Sequence, residues 1–67
     1  MFYTVNHAQQ SLHTVRPGSK TEQALAAKDI KKERFVMMIG GERNSVFRSA
    51  GKAREWRDFL EAFGGQH

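Results

Sequence analysis

The chain has no cysteine, only one proline and no long apolar run. The lack of cysteine excludes disulfides, thiolate zinc sites and cysteine nucleophiles, and we expect a reducing, cytoplasmic setting. The first six residues have no basic segment followed by an apolar one, and no stretch approaches the ~20 apolar residues that a membrane span needs. We therefore expect neither a secretory leader nor contact with a membrane.

The length is as restrictive as the composition. With 67 residues, the sequence predicts a single domain over 1–67 and leaves no room for a dinucleotide cradle. Its content of 39% hydrophobic and 27% charged residues is typical of a globular chain and excludes a disordered tail. A domain of this size buries only about 60% of its unfolded surface. We therefore expect self-association, with a homodimer as one form of it.

Positive charge exceeds negative charge. Eleven Lys and Arg residues against seven Asp and Glu residues give a net charge of +4. The field of such a chain attracts nucleic-acid phosphates or acidic protein surfaces, and it excludes a DNA mimic. Acidic residues are interleaved with the basic ones, so the distribution of charge in space decides where a partner binds.

The first fifteen residues predict a β-hairpin. Residues 2–5 and 11–15 are rich in β-branched and aromatic types, and residues 6–10 between them form a plausible turn. Pro17 and Gly18 end the second strand, because proline has no N–H for the ladder.

A helix follows over 20–34. Ser19 and Glu22 form an S-x-x-E capping box at its start, and good helix formers follow. At helical spacing, Ala26, Ala27 and Ile30 make a thin apolar stripe that predicts flat packing on a sheet, with Leu25 outside the stripe.

The second half repeats the order of a hairpin followed by a helix. The apolar run Phe35–Ile39 predicts a central strand covered on both faces. Either Gly40-Gly41 or the segment 41–44 then turns the chain into a returning strand over 45–48. Ser49 caps a final helix that starts at 50 or 52 and ends at 63, before Gly64-Gly65. The polar face of this helix carries two predicted ion pairs, Arg54–Asp58 and Arg57–Glu61. Its apolar face consists of Ala53, Trp56, Phe59, Leu60 and Phe63.

Together these elements predict an α+β domain of order ββαββα. We expect an antiparallel four-stranded sheet with both helices packed on one face. The other face is then partly exposed. The residues that could project from this exposed face are Tyr3, His13, Met38 and Phe47. An aromatic sheet surface edged by Lys and Arg can stack nucleic-acid bases.

Signals for catalysis are weak. His7 and His13 are the acid and base of a remote alternative, a metal-independent ribonuclease. A metal site needs three converging ligands, yet no H-x-x-x-H or H-E-x-x-H spacing occurs, and the terminal His67 belongs to no motif. Gly40-Gly41 precedes a strand rather than a helix, which favours an ordinary turn over a phosphate loop. We therefore expect no enzyme activity, no cofactor and no metal.

The basic residues carry the leading hypothesis. We expect a small, non-catalytic accessory factor whose Lys and Arg side chains contact the phosphates of DNA or RNA. The helix after Ser19 and the loop and helix of the second half provide the candidate contact residues, which are Lys28, Lys31, Lys32, Arg43, Arg48, Lys52 and Arg54.

Residues 34–63 form a predicted hairpin followed by an amphipathic helix. This order resembles the small sheet-plus-helix DNA-binding modules at the front of phage integrases. The resemblance covers under half of the chain, lacks the third strand directly before the helix, and transfers no site residue.

A second hypothesis gives the chain a protein partner. In this alternative it is an inhibitor or adaptor of the mobile-element type, which docks its basic face or a sheet edge on a larger protein or nucleoprotein complex. Steering by the basic face suits an acidic protein or a nucleic-acid-handling one.

Overall fold

The α+β class, the order ββαββα and the four-stranded antiparallel sheet are confirmed. A computed structural model describes residues 1–63. The predicted Gly64-Gly65 helix stop and His67 lie outside the described residues. The elements are β1 (Tyr3–Asn6), β2 (Ser11–Thr14), α1 (Lys20–Ala27), β3 (Phe35–Ile39), β4 (Glu42–Phe47) and α2 (Ala50–Phe63).

The strands lie in the order β2-β1-β4-β3. Both predicted hairpins form, although β4 starts at Glu42 rather than at residue 45 and ends at Phe47. The two hairpins join by antiparallel pairing of β1 with β4, in which Val5 lies opposite Ser45. This pairing places β3 at an edge, so the prediction of a central, doubly covered β3 is wrong. Its uninterrupted apolar run instead supplies one half-buried row and one exposed row, the latter containing Val36 and Met38.

The turn of the second hairpin depends on two glycines. Gly40 and Gly41 have φ angles of 60° and 81°, a region that side chains with a Cβ avoid. Two consecutive residues with positive φ match the twist of antiparallel strands. The turn therefore sets the register in which Ile39 lies opposite Glu42.

Helix α1 starts as predicted and ends early. The Ser19 side-chain oxygen accepts the Glu22 N–H at 3.1 Å, which satisfies one free donor of the first turn. Asp29 adopts a φ of 50°, a left-handed conformation that ends a right-handed helix. The helix predicted over 20–34 is thus confined to 20–27, and the next seven residues form a loop, here called the 28–34 loop.

The buried side of α1 also differs from the predicted stripe. Leu25 is 0% exposed and is the buried residue of this helix, whereas Ala26 and Ala27 are exposed. A helix of two turns offers few positions to the core, and a leucine fills the space that an alanine leaves empty.

The two helices lie on opposite faces of the sheet. Val46 packs in one cluster with Leu25, and its neighbour Phe47 packs in another with Ala53. Consecutive strand residues point to opposite faces. The expected placement of both helices on one face is therefore wrong, because both sides of this sheet carry apolar residues that need cover. We call the two sides the α1 face and the α2 face.

Helix α2 covers its face of the sheet with only one side of its apolar stripe. Ala53 is fully buried, and Trp56 and Leu60 pack against the same cluster. Phe59 and Phe63 remain exposed. The helix begins after Ser49, whose hydroxyl accepts the Lys52 N–H at 3.4 Å, as the sequence predicts.

The polar side of α2 matches the sequence in part. Arg57 reaches Glu61 at 3.9 Å, as predicted. Asp58, however, pairs with the adjacent Arg57 at 3.2 Å and not with Arg54.

Leu25→Ala is expected to destabilise the domain by about 2–5 kcal/mol, since it removes the main apolar contact between α1 and the sheet. A single small core rarely supplies more than roughly 3–5 kcal/mol, so this variant should be largely unfolded at room temperature. Urea unfolding followed by circular dichroism measures the loss. The control Ala26→Gln, on the exposed side, should stay within about 0.5 kcal/mol of the parent. Equal stability of both variants would contradict this packing.

Candidate phosphate-binding interface

Four of the predicted contact residues converge on one concavity. It lies between the 28–34 loop and the start of α2 and has a volume of about 670 Å³. Ile30, Glu33 and Ser49 complete its wall. We call this concavity the cationic cleft, and its four basic residues are Lys31, Lys32, Arg48 and Lys52.

Sheet topology explains this convergence. In the antiparallel pair of β3 and β4, Phe35 lies opposite Val46. The residues just before β3 therefore meet those just after β4 at one end of the sheet. Asp29 ends α1 and turns the chain toward that end. Residues some 17 positions apart in sequence thus become neighbours, and Lys31 and Lys32 lie in a loop rather than on the predicted helix.

The acidic neighbours of the cleft neutralise it only weakly. Lys31 approaches Asp29 at 3.8 Å, and Lys52 approaches Glu55 at 3.6 Å. Both pairs are solvent-exposed, and exposed ion pairs contribute little because water and salt screen them. Within residues 1–63, Lys32 and Arg48 have no carboxylate at ion-pair distance.

The side chain of Arg48 lies close to an aromatic ring. Its guanidinium carbon lies 5.4 Å from the centre of the Phe2 ring, and Phe2 belongs to the buried core. A cation over an aromatic face is attracted by the ring quadrupole. Helix α2 also begins at this wall, and the N-terminus of a helix carries partial positive charge. The cleft therefore combines three lysines with one arginine whose guanidinium lies near an aromatic ring.

The remaining predicted contact residues are divided. Lys28 lines an adjoining concavity together with Lys31 and Lys32, so five of the seven candidates share one end of the molecule. Arg43 lies near the other end of β4, roughly 16 Å from Arg48 at ~3.3 Å per strand residue. Arg54 is exposed on α2 and does not line the cleft.

The sheet offers no broad aromatic surface for bases. Tyr3 and Phe47 pack beneath α2, and His13 lies on the α1 face, since it pairs with Thr4 in the row of Val46. Met38 alone of the four predicted surface residues is a largely exposed apolar side chain. The reason is that α2 packs on this face and takes the rings of Tyr3 and Phe47 into its apolar cluster.

The two histidines of the ribonuclease alternative lie on opposite faces of the sheet. His13 is within 2.9 Å of the Ser11 hydroxyl on the α1 face. His7 is within 2.7 Å of Ser45, whose partner Val5 faces α2. The structure therefore does not bring the two imidazoles to one site.

The contact between His7 and Ser45 is the feature that sequence reasoning missed. Arg34 Nη1 donates to Ser45 Oγ at 3.2 Å. A guanidinium cannot accept a hydrogen bond, so Ser45 Oγ is the acceptor in this contact. The same oxygen lies 2.7 Å from His7 Nε2, and the tautomer of His7 sets which of the two groups donates. No local signal connects residues 38 positions apart.

This pair is structural rather than nucleophilic. Ser45 is 0% exposed, and a hydroxyl that no substrate can reach cannot attack one. Arg34 completes the network by stacking on Trp56, with 4.1 Å between its guanidinium carbon and the ring centre. The network therefore fastens β1, β4 and α2 to the start of β3.

Neither a protein-family model nor a curated protein nor a solved structure matches the chain. Within residues 1–63, no group of three His, Asp or Glu side chains is arranged to hold a metal ion. The helices described over the same residues are too short or too polar to cross a membrane. The function is therefore inferred from the geometry of the cleft.

The stability of the protein should fall on mild acidification because of His7. Burial, with the charges of Arg34 and Arg43, lowers the pKa of His7 below its ordinary value of 6.5. Below pH 6.5 the unfolded chain then binds a proton that the native state resists, so the His7 contribution is complete above pH 6.5 and declines as the pH falls. We expect a lower Tm at about pH 5.5 than at about pH 7.5.

His7→Gln should reduce this difference in Tm, and the control His13→Gln should keep it. Thermal unfolding followed by circular dichroism at both pH values makes the comparison. An undiminished difference in His7→Gln would assign the pH dependence to other groups.

Proposed function

We propose that this protein is a non-catalytic nucleic-acid-binding factor that contacts backbone phosphates through the cationic cleft. The single observation that supports the proposal is the convergence of Lys31, Lys32, Arg48 and Lys52 on one concavity. These four side chains come from two separate segments, and the pairing of β3 with β4 brings them together.

The chemistry of the cleft suits phosphate. Arg48 presents a planar guanidinium that can make two parallel hydrogen bonds to one phosphate. The lysines act as flexible point charges that follow the backbone, and the start of α2 adds partial positive charge. Contacts of this kind position a protein on nucleic acid without reading bases. Since Phe47 is buried beneath α2 and Tyr3 packs half-buried against the same cluster, we expect binding with little sequence preference.

The alternative of an acidic protein partner uses the same charges. It stays a prediction, and so does the cytoplasmic location. Phosphate contact is favoured because four of the seven residues that line the cleft are cations, which suits a phosphodiester better than a broad interface with a hydrophobic centre.

Salt dependence and charge reversal test the proposal together. The full chain is titrated into fluorescently labelled duplex DNA, duplex RNA and single strands, and anisotropy reports binding. Three to four phosphate contacts predict a log–log salt slope of about −3, so affinity for duplex DNA should fall about 60-fold between about 50 and about 200 mM salt. The three probes show which phosphate geometry the cleft accepts.

A matched pair of double variants separates local contact from net charge. Lys32→Glu with Lys52→Glu changes two residues of the cleft, whereas Lys20→Glu with Arg54→Glu makes the same change in net charge elsewhere. The first should weaken binding at least tenfold more than the second. Equal losses would mean that the net charge of the protein, and not the cleft, attracts the nucleic acid. No binding of any probe at low salt would reject the proposal and favour the protein partner.

A further inference from the structure

Strand β3 is a free edge of the sheet. It pairs with β4 on one side, and no strand within residues 1–63 pairs with its other side. The outward N–H and C=O groups of an edge strand form a template for another strand. The described part of the molecule therefore presents a strand of five residues, Phe35–Ile39, of which one side has no pairing partner.

This edge has none of the features that usually protect one. Natural edges carry a charged residue, a proline or a bulge that prevents pairing with other chains. Phe35–Ile39 contains only apolar residues, and its pairing with β4 runs without interruption from Phe35 to Ile39. The opposite edge, β2, is polar by comparison, because Ser11 and His13 bond to each other there.

The apolar surface continues from the edge onto the α2 face. Val36 and Met38 are 41% and 59% exposed. Both lie in the row of Ser45, on the side of the sheet that carries α2. Helix α2 lies against β1, β2 and β4 but does not reach β3. The described fold thus leaves the edge and its adjoining row uncovered together.

We propose that β3 pairs antiparallel with β3 of a second copy and that the two sheets join into one of eight strands. A register centred on Met37 pairs the whole strand. It places Phe35 opposite Ile39 of the second copy, and Val36 opposite Met38. Every cross-strand pair is then apolar on both faces of the sheet, and such pairs stabilise a sheet.

The charges that flank β3 favour a second copy in this orientation. Glu33 and Arg34 precede the strand, and Glu42 and Arg43 follow its turn. The register centred on Met37 places Glu33 and Arg34 opposite Gly41 and Gly40 of the second copy, which carry no charge, while Glu42 and Arg43 fold back onto β4 away from the free edge. Parallel pairing would bring Glu33 beside Glu33 of the second copy. The strand thus supplies apolar complementarity to itself, and its flanking charges oppose the parallel arrangement but not the antiparallel one.

The experiment measures the mass of the full chain in solution. Size-exclusion chromatography with light scattering, over a dilution series, should give twice the monomer mass of 7.7 kDa at high concentration. Met38→Lys places a charge in the proposed interface and should weaken the dimer at least tenfold. Its circular dichroism at low concentration should match the parent, because Met38 packs against nothing in the monomer core.

Phe63→Lys is the matched control, since Phe63 is also 59% exposed but lies on α2. It should leave the dimer intact. A mixture of Met38→Lys with Met38→Glu should regain association that neither variant shows alone, which a misfolded chain cannot do. Amide hydrogen exchange should slow in β3 on dimerisation and not in β2. A monomer at every concentration, or a dimer lost only in Phe63→Lys, would overturn the proposal.

Discussion

The structure depends on the division of few apolar side chains between two faces of one small sheet. Val46 and Phe47, adjacent in β4, anchor separate clusters. Neither cluster is large, so each needs its own helix. Helix α1 covers one face with a single leucine, and α2 covers three strands of the other. The uncovered strand and the exposed rings of α2 are what remains after this division.

The type and order of the elements were predictable because their signals are local. Ser19 caps α1 and Ser49 caps α2 through side-chain oxygens, and two glycines turn the second hairpin. The arrangement of the elements was not, because it depends on the long-range pairing of β1 with β4. That pairing makes β3 an edge and places the helices on opposite sides, and no short pattern encodes it.

The candidate site divides in the same way. Residue type alone marks lysines and arginines as candidates for phosphate contact, and five of the seven do lie at one end. Their grouping follows from the register of β3 with β4 and from the left-handed Asp29 that ends α1. An early helix end in a good helix-forming segment is a tertiary effect, since Leu25 has by then reached the core. The network of His7, Ser45 and Arg34 is entirely non-local.

That network surrounds the one tryptophan of the chain. The ring centres of His7 and Trp56 are 6.2 Å apart, and Arg34 stacks on the same indole. The Nε1–H of Trp56 is buried and makes no hydrogen bond within residues 1–63. A protonated imidazole quenches indole emission, whereas a neutral one does so far less. The single tryptophan is therefore positioned to report the charge of His7 through its fluorescence, without any added label.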